Sequence, residues 1–179
     1  MRSSLSLLEG STPGTVVISN SDVYFWNDYW KIGINGSAPS VDRQDKTLAY
    51  QEGLQEAVRL LVQAGHQVIL VQPLPRFEVA PYSWSPGECT GDDVVKGRCK
   101  VEMPVTLVDE LQGDLRAGLE RVAAEEGAYV LDLRHLVCPD ATCSTASQDG
   151  FLYMDPWHIS VATSEALIPD FTQAIQATK

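Results

Sequence analysis

Apolar and polar positions alternate along the chain in blocks. Residues 15–19 (TVVIS), 67–73 (QVILVQP) and 128–133 (AYVLDL) are short apolar runs. Runs of this length with β-branched residues, bounded by turn-forming residues, read as buried strands. Pro73 and Pro75 stop the second run. Between the first two runs, residues 46–64 place Tyr50, Leu54, Ala57, Val58 and Leu61 at helical spacing. Gly65 stands where a left-handed C-cap is wanted. Residues 104–126 give the clearest helix: Val108, Leu111, Leu115, Leu119 and Val122 line one face, and charges line the other. Gly127 ends it in the same role as Gly65. Residues 160–177 set Leu167, Phe171 and Ile175 on one face, and Pro169 is expected to kink or split that helix. Residues 76–103 show no periodicity and read as one long loop. Loops this long are uncommon unless they are functional or stapled.

The resulting order is β-α-β-α-β-α with glycine-marked helix-to-strand turns, which means an α/β fold with a parallel sheet flanked by helices. Three strands make a thin sheet for such a fold. No repeat or low-complexity segment interrupts the 179 residues, so a single domain over 1–179 is expected. Charge narrows the function classes. The net charge of −11 argues against binding a phosphate backbone or an anionic lipid surface, because both depend on Lys and Arg. No apolar run reaches the roughly 18 residues of a membrane span. The opening MRSSLSLLEGS lacks the long apolar stretch of a signal peptide.

The four cysteines, Cys89, Cys99, Cys138 and Cys143, are spaced C-x9-C and C-x4-C. Neither spacing is a zinc knuckle, and no histidine lies at ligand spacing beside either pair. Both pairs fall in sequence rich in Gly, Pro, Asp and Ser. Two local disulfide loops, 89–99 and 138–143, are expected, each adding about 2–3 kcal/mol in the chain-entropy model. They imply an oxidising compartment. The competing reading is four free thiols in a reducing one.

Open α/β sheets place their sites at the carboxyl ends of strands. The candidates there are Asn20, Ser21 and Asp22, then Asp132 and His135, then Asp155 and His158. A histidine general base needs one tautomer, and a carboxylate bonded to Nδ1 both holds that tautomer and stabilises the imidazolium. Asp155-Pro-Trp-His158 has a spacing that lets a turn bring the two together, but so does Asp132-Leu-Arg-His135. Asp132 lies inside the apolar run VLDL, so its pair reads as a strand-end cap. Asp155 and His158 lie in a loop before a helix, flanked by Tyr153 and Trp157 as pocket walls. His66, next to Gly65, reads as a surface or capping residue. Tyr24, Trp26, Tyr29 and Trp30 either line a groove for an acyl group or a sugar, or cover the edge of the core. The carboxylate-rich helix faces are solvated faces rather than metal sites, and no cofactor is expected.

The stretch GFLYMDPWHISVATSEAL resembles the C-terminal block of SGNH-type hydrolases. More specifically, it is similar to the SGNH domains fused to acyltransferase family 3 membrane proteins. Those end in a "lY.D..HLS" block after a close cysteine pair, which reads here as VCPDATC and then FLYMDPWHIS, with Ile159 where Leu is usual. AGHQVILVQPLPR is similar to the family's strand and "P.PR" turn before a cysteine-bearing loop, and TVVISNSDVYFW to its "VVLaarW" segment. The resemblance covers most of residues 12–170. It implies a three-layer, flavodoxin-like parallel sheet with His158 as general base and Asp155 as its orienting partner. It also implies an acyl-serine mechanism acting on cell-surface glycans or glycolipids outside the cytoplasmic membrane, with a membrane acyltransferase domain upstream in a longer, membrane-tethered parent protein.

One departure matters. The family's nucleophile sits in a G-D-S motif after its first strand, and no Gly-Asp-Ser triplet occurs in this chain. The expectation is that TVVIS is a later strand and that the first strand, its helix and its serine lie upstream of Met1. This chain is then the C-terminal portion of the domain. Two alternatives stand beside it. One is an esterase using Ser21, although no glycine is present for the sharp turn. The other is an inert module that binds a glycan or a partner.

Overall fold

The computed structural model describes residue 8, residues 10–33 and residues 38–178. They form two compact units, one drawn from Met1–Pro73, Gln112–Leu131 and Thr172–Lys179, the other from Leu74–Leu111 and Asp132–Phe171.

The first unit holds the parallel sheet. Strands β1 (Thr15–Ser19), β2 (Gln67–Val71) and β4 (Tyr129–Leu131) lie in the order β1-β2-β4. Thr15 pairs with Gln67, and Ile69 pairs with Tyr129. The three expected strands are thus present and parallel. Central β2 is the hydrophobic spine, with Val68, Ile69, Leu70 and Val71 all buried. Helix α2 (Arg43–Gln63) and the part of α4 (Val105–Glu126) from Gln112 onward carry the apolar faces read from spacing. Leu54, Val58 and Leu61 meet Leu115, Leu119 and Val122 in one core with Val68, Leu70 and Phe25. Both helices end as expected. Gly65 and Gly127 take positive φ, of 86° and 76°. The next N–H reaches back to Leu61 in one case and Ala123 in the other, closing the last turn. Helix α2 starts at Arg43 because the Asp42 carboxylate accepts the N–H groups of Gln44 and Asp45.

His66 and Lys46 are two of the buried polar side chains in this unit. His66 is no surface residue; it is 5% exposed. Its Nδ1 accepts the Gly14 N–H at 3.1 Å and its Nε2 lies 2.8 Å from the Leu8 carbonyl, so the ring ties the segment before β1 to the start of β2. Lys46 is fully buried, and its Nζ donates to the Asn27 carbonyl at 3.0 Å. That carbonyl also accepts the Trp30 N–H, which fixes the aromatic loop.

The second unit packs Phe77, Trp84, Met103, Val108, Val137, Cys138, Cys143 and Tyr153. Residues 76–103 are not one featureless loop. They contain a 3-10 turn (Pro86–Glu88), the short helix α3 (Gly91–Val95) and strand β3 (Glu102–Pro104). Thr90 and Asp93 form a capping box for α3. Strand β3 pairs antiparallel with β5 (Thr142–Ser144), setting Met103 opposite Cys143. Five helical residues show too little of a 3.6-residue period for sequence reading to find them. Both expected disulfides form, Cys89–Cys99 and Cys138–Cys143. The C-terminal helix is split, not kinked, into α5 (Val161–Ala166) and α6 (Ile168–Ala177). Pro169 stands second in α6, where its missing N–H costs nothing.

Gly118 marks a close approach inside the first unit. A Cβ there would sit 2.8 Å from Cδ of Gln51, which reaches over from α2. At Gly113, also in α4, a Cβ would meet nothing within 4 Å. Helix propensity alone favours Ala over Gly by about 1 kcal/mol. Gly113→Ala is therefore expected to stabilise the fold by up to about 1 kcal/mol, and Gly118→Ala to destabilise it by about 1 kcal/mol or more as Gln51 is displaced. Urea unfolding midpoints of the two variants check this, and shifts of the same sign contradict it.

Candidate active site

Asp155 and His158 come together in the second unit. The turn that carries them is closed by the Met154 N–H donating to the His158 carbonyl at 2.9 Å, and Tyr153 and Ile159 form an antiparallel bridge just outside it. Pro156 suits such a turn, since its ring fixes φ and it has no N–H to satisfy. Asp155 uses its two oxygens differently. Oδ1 accepts the backbone N–H groups of Trp157 and His158, each at 2.8 Å. Oδ2 faces His158 Nδ1 at 2.8 Å. With the carboxylate ionised, Nδ1 carries the proton and donates it. Nε2 is then the lone-pair nitrogen, on a side chain that is 69% exposed.

Burial pushes the Asp155 carboxyl up. That effect is outweighed by the bond from the His158 ring and by the two backbone N–H groups, so the carboxyl is held below its usual value of 3.8. The ion that orients the base therefore persists throughout the neutral range.

The turn rests on a second segment. Tyr153, 1% exposed, donates its phenolic hydrogen to the Pro75 carbonyl at 2.8 Å and sets its ring edge-on to fully buried Phe77, with centroids 5.1 Å apart. The Phe77 N–H donates to the Pro156 carbonyl at 2.9 Å. The Trp157 indole N–H donates to Glu78, which also pairs with Arg76. Sequence reading missed Phe77 and Glu78. They lie 79 and 77 positions before Pro156 and Asp155, too far for any local spacing to reveal; only the "P.PR" turn hinted at that segment.

The other candidates lie elsewhere in the fold. Asp132 accepts the Arg134 N–H at 2.9 Å, the strand-end cap expected of it, and His135 Nε2 lies 3.4 Å from Asp170. In the first unit, the Ser21 hydroxyl accepts the Val23 N–H at 3.3 Å at the start of α1 (Val23–Trp26). Asn20 donates to the Tyr50 hydroxyl at 3.0 Å, a bond that partly offsets the upward push of burial on that phenol. Asp22, 3% exposed, accepts from Gln112 Nε2 at 2.8 Å. Tyr24, Tyr29 and Trp30 are exposed and pack edge to face, so these three do not cover the core; Phe25 does. The Trp26 side chain lies outside the described residues. Among the described residues no group of three His, Cys, Asp or Glu is placed to hold a metal ion, and no helix is long and apolar enough to cross a membrane.

A carboxyl lowered by folding stabilises the fold above its unfolded value, and that contribution is lost as pH falls through the folded value. The stability gap between the wild type and Asp155→Asn is therefore expected to be present at pH 5 and to narrow below about pH 4. Urea titrations across that range measure it, and a gap independent of pH contradicts the assignment.

No curated protein matches the chain. The family model for the SGNH domain (fused to AT3 domains) matches residues 2–173. That span includes both the Asp155–His158 turn and the 75–78 segment beneath it, so the chain belongs to the family of SGNH domains found fused to AT3 domains.

Proposed function

We propose that this chain supplies the Asp-x-x-His base of an extracytoplasmic O-acyltransferase or esterase that modifies cell-surface glycans. Membership in the AT3-fused SGNH family gives the broader class, an acyltransferase- or esterase-type module associated with a membrane acyltransferase domain. The observation that carries the finer reading is the 2.8 Å contact between Asp155 and His158 Nδ1, which leaves Nε2 free to take a proton.

In the proposed reaction Nε2 takes the hydroxyl proton of a serine, and the serine Oγ bonds to the acyl carbon. The donor C–O bond then breaks, and its oxygen leaves with the proton held on Nε2. In the second half Nε2 takes a proton from a glycan hydroxyl or from water. The acyl carbon bonds to that oxygen, its bond to the serine Oγ breaks, and Oγ leaves with the proton held on Nε2, which restores the free base. Asp155 stays ionised in both halves and offsets the imidazolium charge.

The serine is proposed to lie on a strand preceding this sequence. Two observations support this. There is no Gly-Asp-Ser triplet in the chain. Strand β1 is only partly covered, with Val17 44% exposed and a paired neighbour on one edge alone among the described residues. Strands of parallel sheets are normally covered on both faces, and the exposed Val17 supports a further element of the domain against β1. The two disulfides support an oxidising location.

The chain as it stands is expected to resist covalent labelling by a fluorophosphonate. Labelling that disappears in Ser21→Ala would transfer the nucleophile to Ser21. Extended at its N-terminus through its natural upstream sequence, the protein is expected to label and to cleave p-nitrophenyl acetate. Removing a member of such a catalytic unit costs on the order of 10⁴–10⁶ in rate, and His158→Ala should show a loss of that size. His135→Ala should stay within a few-fold. Turnover by His158→Ala close to wild type overturns the reading.

A further inference from the structure

We infer that Glu78 is a positioning residue for the Asp155–His158 pair and acts through the indole of Trp157; this rests on the base role proposed above. Asp155 holds the turn from within, through the N–H groups of Trp157 and His158. That leaves the outer side of the turn, where Trp157 is 52% exposed. A large, exposed side chain on a four-residue turn is free to rotate unless something holds it. Glu78 holds it by accepting the indole N–H on Oε2, while Oε1 pairs with Arg76.

Arg76 is 9% exposed, so the carboxylate is anchored to a buried cation at one end and grips the turn at the other. The adjacent Phe77 N–H adds a backbone bond to Pro156 at 2.9 Å. The Pro156–Trp157 peptide is thereby held from two directions, its carbonyl by Phe77 and its N–H by Asp155. His158 follows immediately, with its ring centroid 6.5 Å from that of Trp157 and the planes nearly perpendicular. Fixing the Trp157 ring limits the χ1 wells open to the neighbouring imidazole. It keeps Nδ1 facing Asp155 instead of swinging out into water. Glu78 touches neither the imidazole nor a reacting atom in this arrangement; its effect passes through Trp157.

The test reads the tautomer of neutral His158 by long-range ¹H–¹⁵N correlation on the purified chain, a quantity that a role in global stability does not move. In the wild type the Nδ1–H form should exceed the Nε2–H form by about tenfold or more, the scale of a hydrogen bond to a carboxylate. In Glu78→Ala that excess should fall by about threefold, the scale of a half-exposed polar contact. Trp157→Phe, which keeps an aromatic ring and the Glu78 charge but removes the indole N–H, should fall equally. Glu78→Gln keeps an acceptor for the indole and should recover part of the loss. Unfolding midpoints report separately on stability, and the conservative Phe variant keeps the test informative if Glu78→Ala folds poorly. An unchanged tautomer ratio in both Glu78→Ala and Trp157→Phe overturns the inference while leaving the base role standing. A wild type with no Nδ1–H excess removes the base role itself, and with it the inference.

Discussion

The carboxylate of Asp155 does two jobs that cannot be separated. One oxygen accepts two backbone N–H groups and so shapes the turn; the other holds the imidazole that the turn presents. A turn without that acceptor would leave two donors to find water, and an imidazole without it would be free to choose either tautomer. The same ionised group therefore sets the local backbone and the chemistry. The two residues between Asp155 and His158 are not arbitrary filler. Pro156 fixes φ and offers a carbonyl to Phe77, and Trp157 offers an indole N–H to Glu78.

The rest of the second unit keeps that turn in place. Tyr153 enters the core immediately before it and bonds to Pro75, at the exit of the segment following β2. Thr145, fully buried, accepts the Val101 N–H on its hydroxyl and the Leu152 N–H on its carbonyl. Val101 lies two residues from Cys99, and Thr145 two residues from Cys143, so each disulfide closes its loop next to this contact. Cross-links and a short two-stranded ladder substitute for a large core.

Much of the fold was legible in the sequence for a simple reason. The strands β1, β2 and β4 are apolar runs set off by glycines, and the faces of α2 and α4 repeat at 3.6 residues over about three to four turns, long enough for a period to show. Elements of three to five residues, such as α3 and β3, leave no period to read, and what sets them is local capping by Thr90 and pairing with a strand about forty residues on. Burial of polar groups was equally hidden. Nothing in the sequence around His66 or Lys46 says that one will bond to Leu8 and Gly14, or that the other will reach Asn27. At the site, Asp155 and His158 were legible because they lie three positions apart and a turn can close that distance. Glu78 was not, because its partner lies 79 residues away and only the folded chain brings them together.

Comparison of the two Asp-x-x-His motifs shows how spacing becomes specific only through context. In Asp132–His135 the aspartate spends an oxygen on the Arg134 N–H at the end of β4, and the histidine turns toward Asp170. In Asp155–His158 the ring and the carboxylate face each other directly. The account stands on where the proton sits in that second pair. A neutron crystal structure of the deuterated protein at neutral pH tests it most directly. Deuterium is expected on His158 Nδ1, pointing at Asp155 Oδ2, with Nε2 bare. Deuterium on Nε2 alone, or a ring turned away from Asp155, would contradict it.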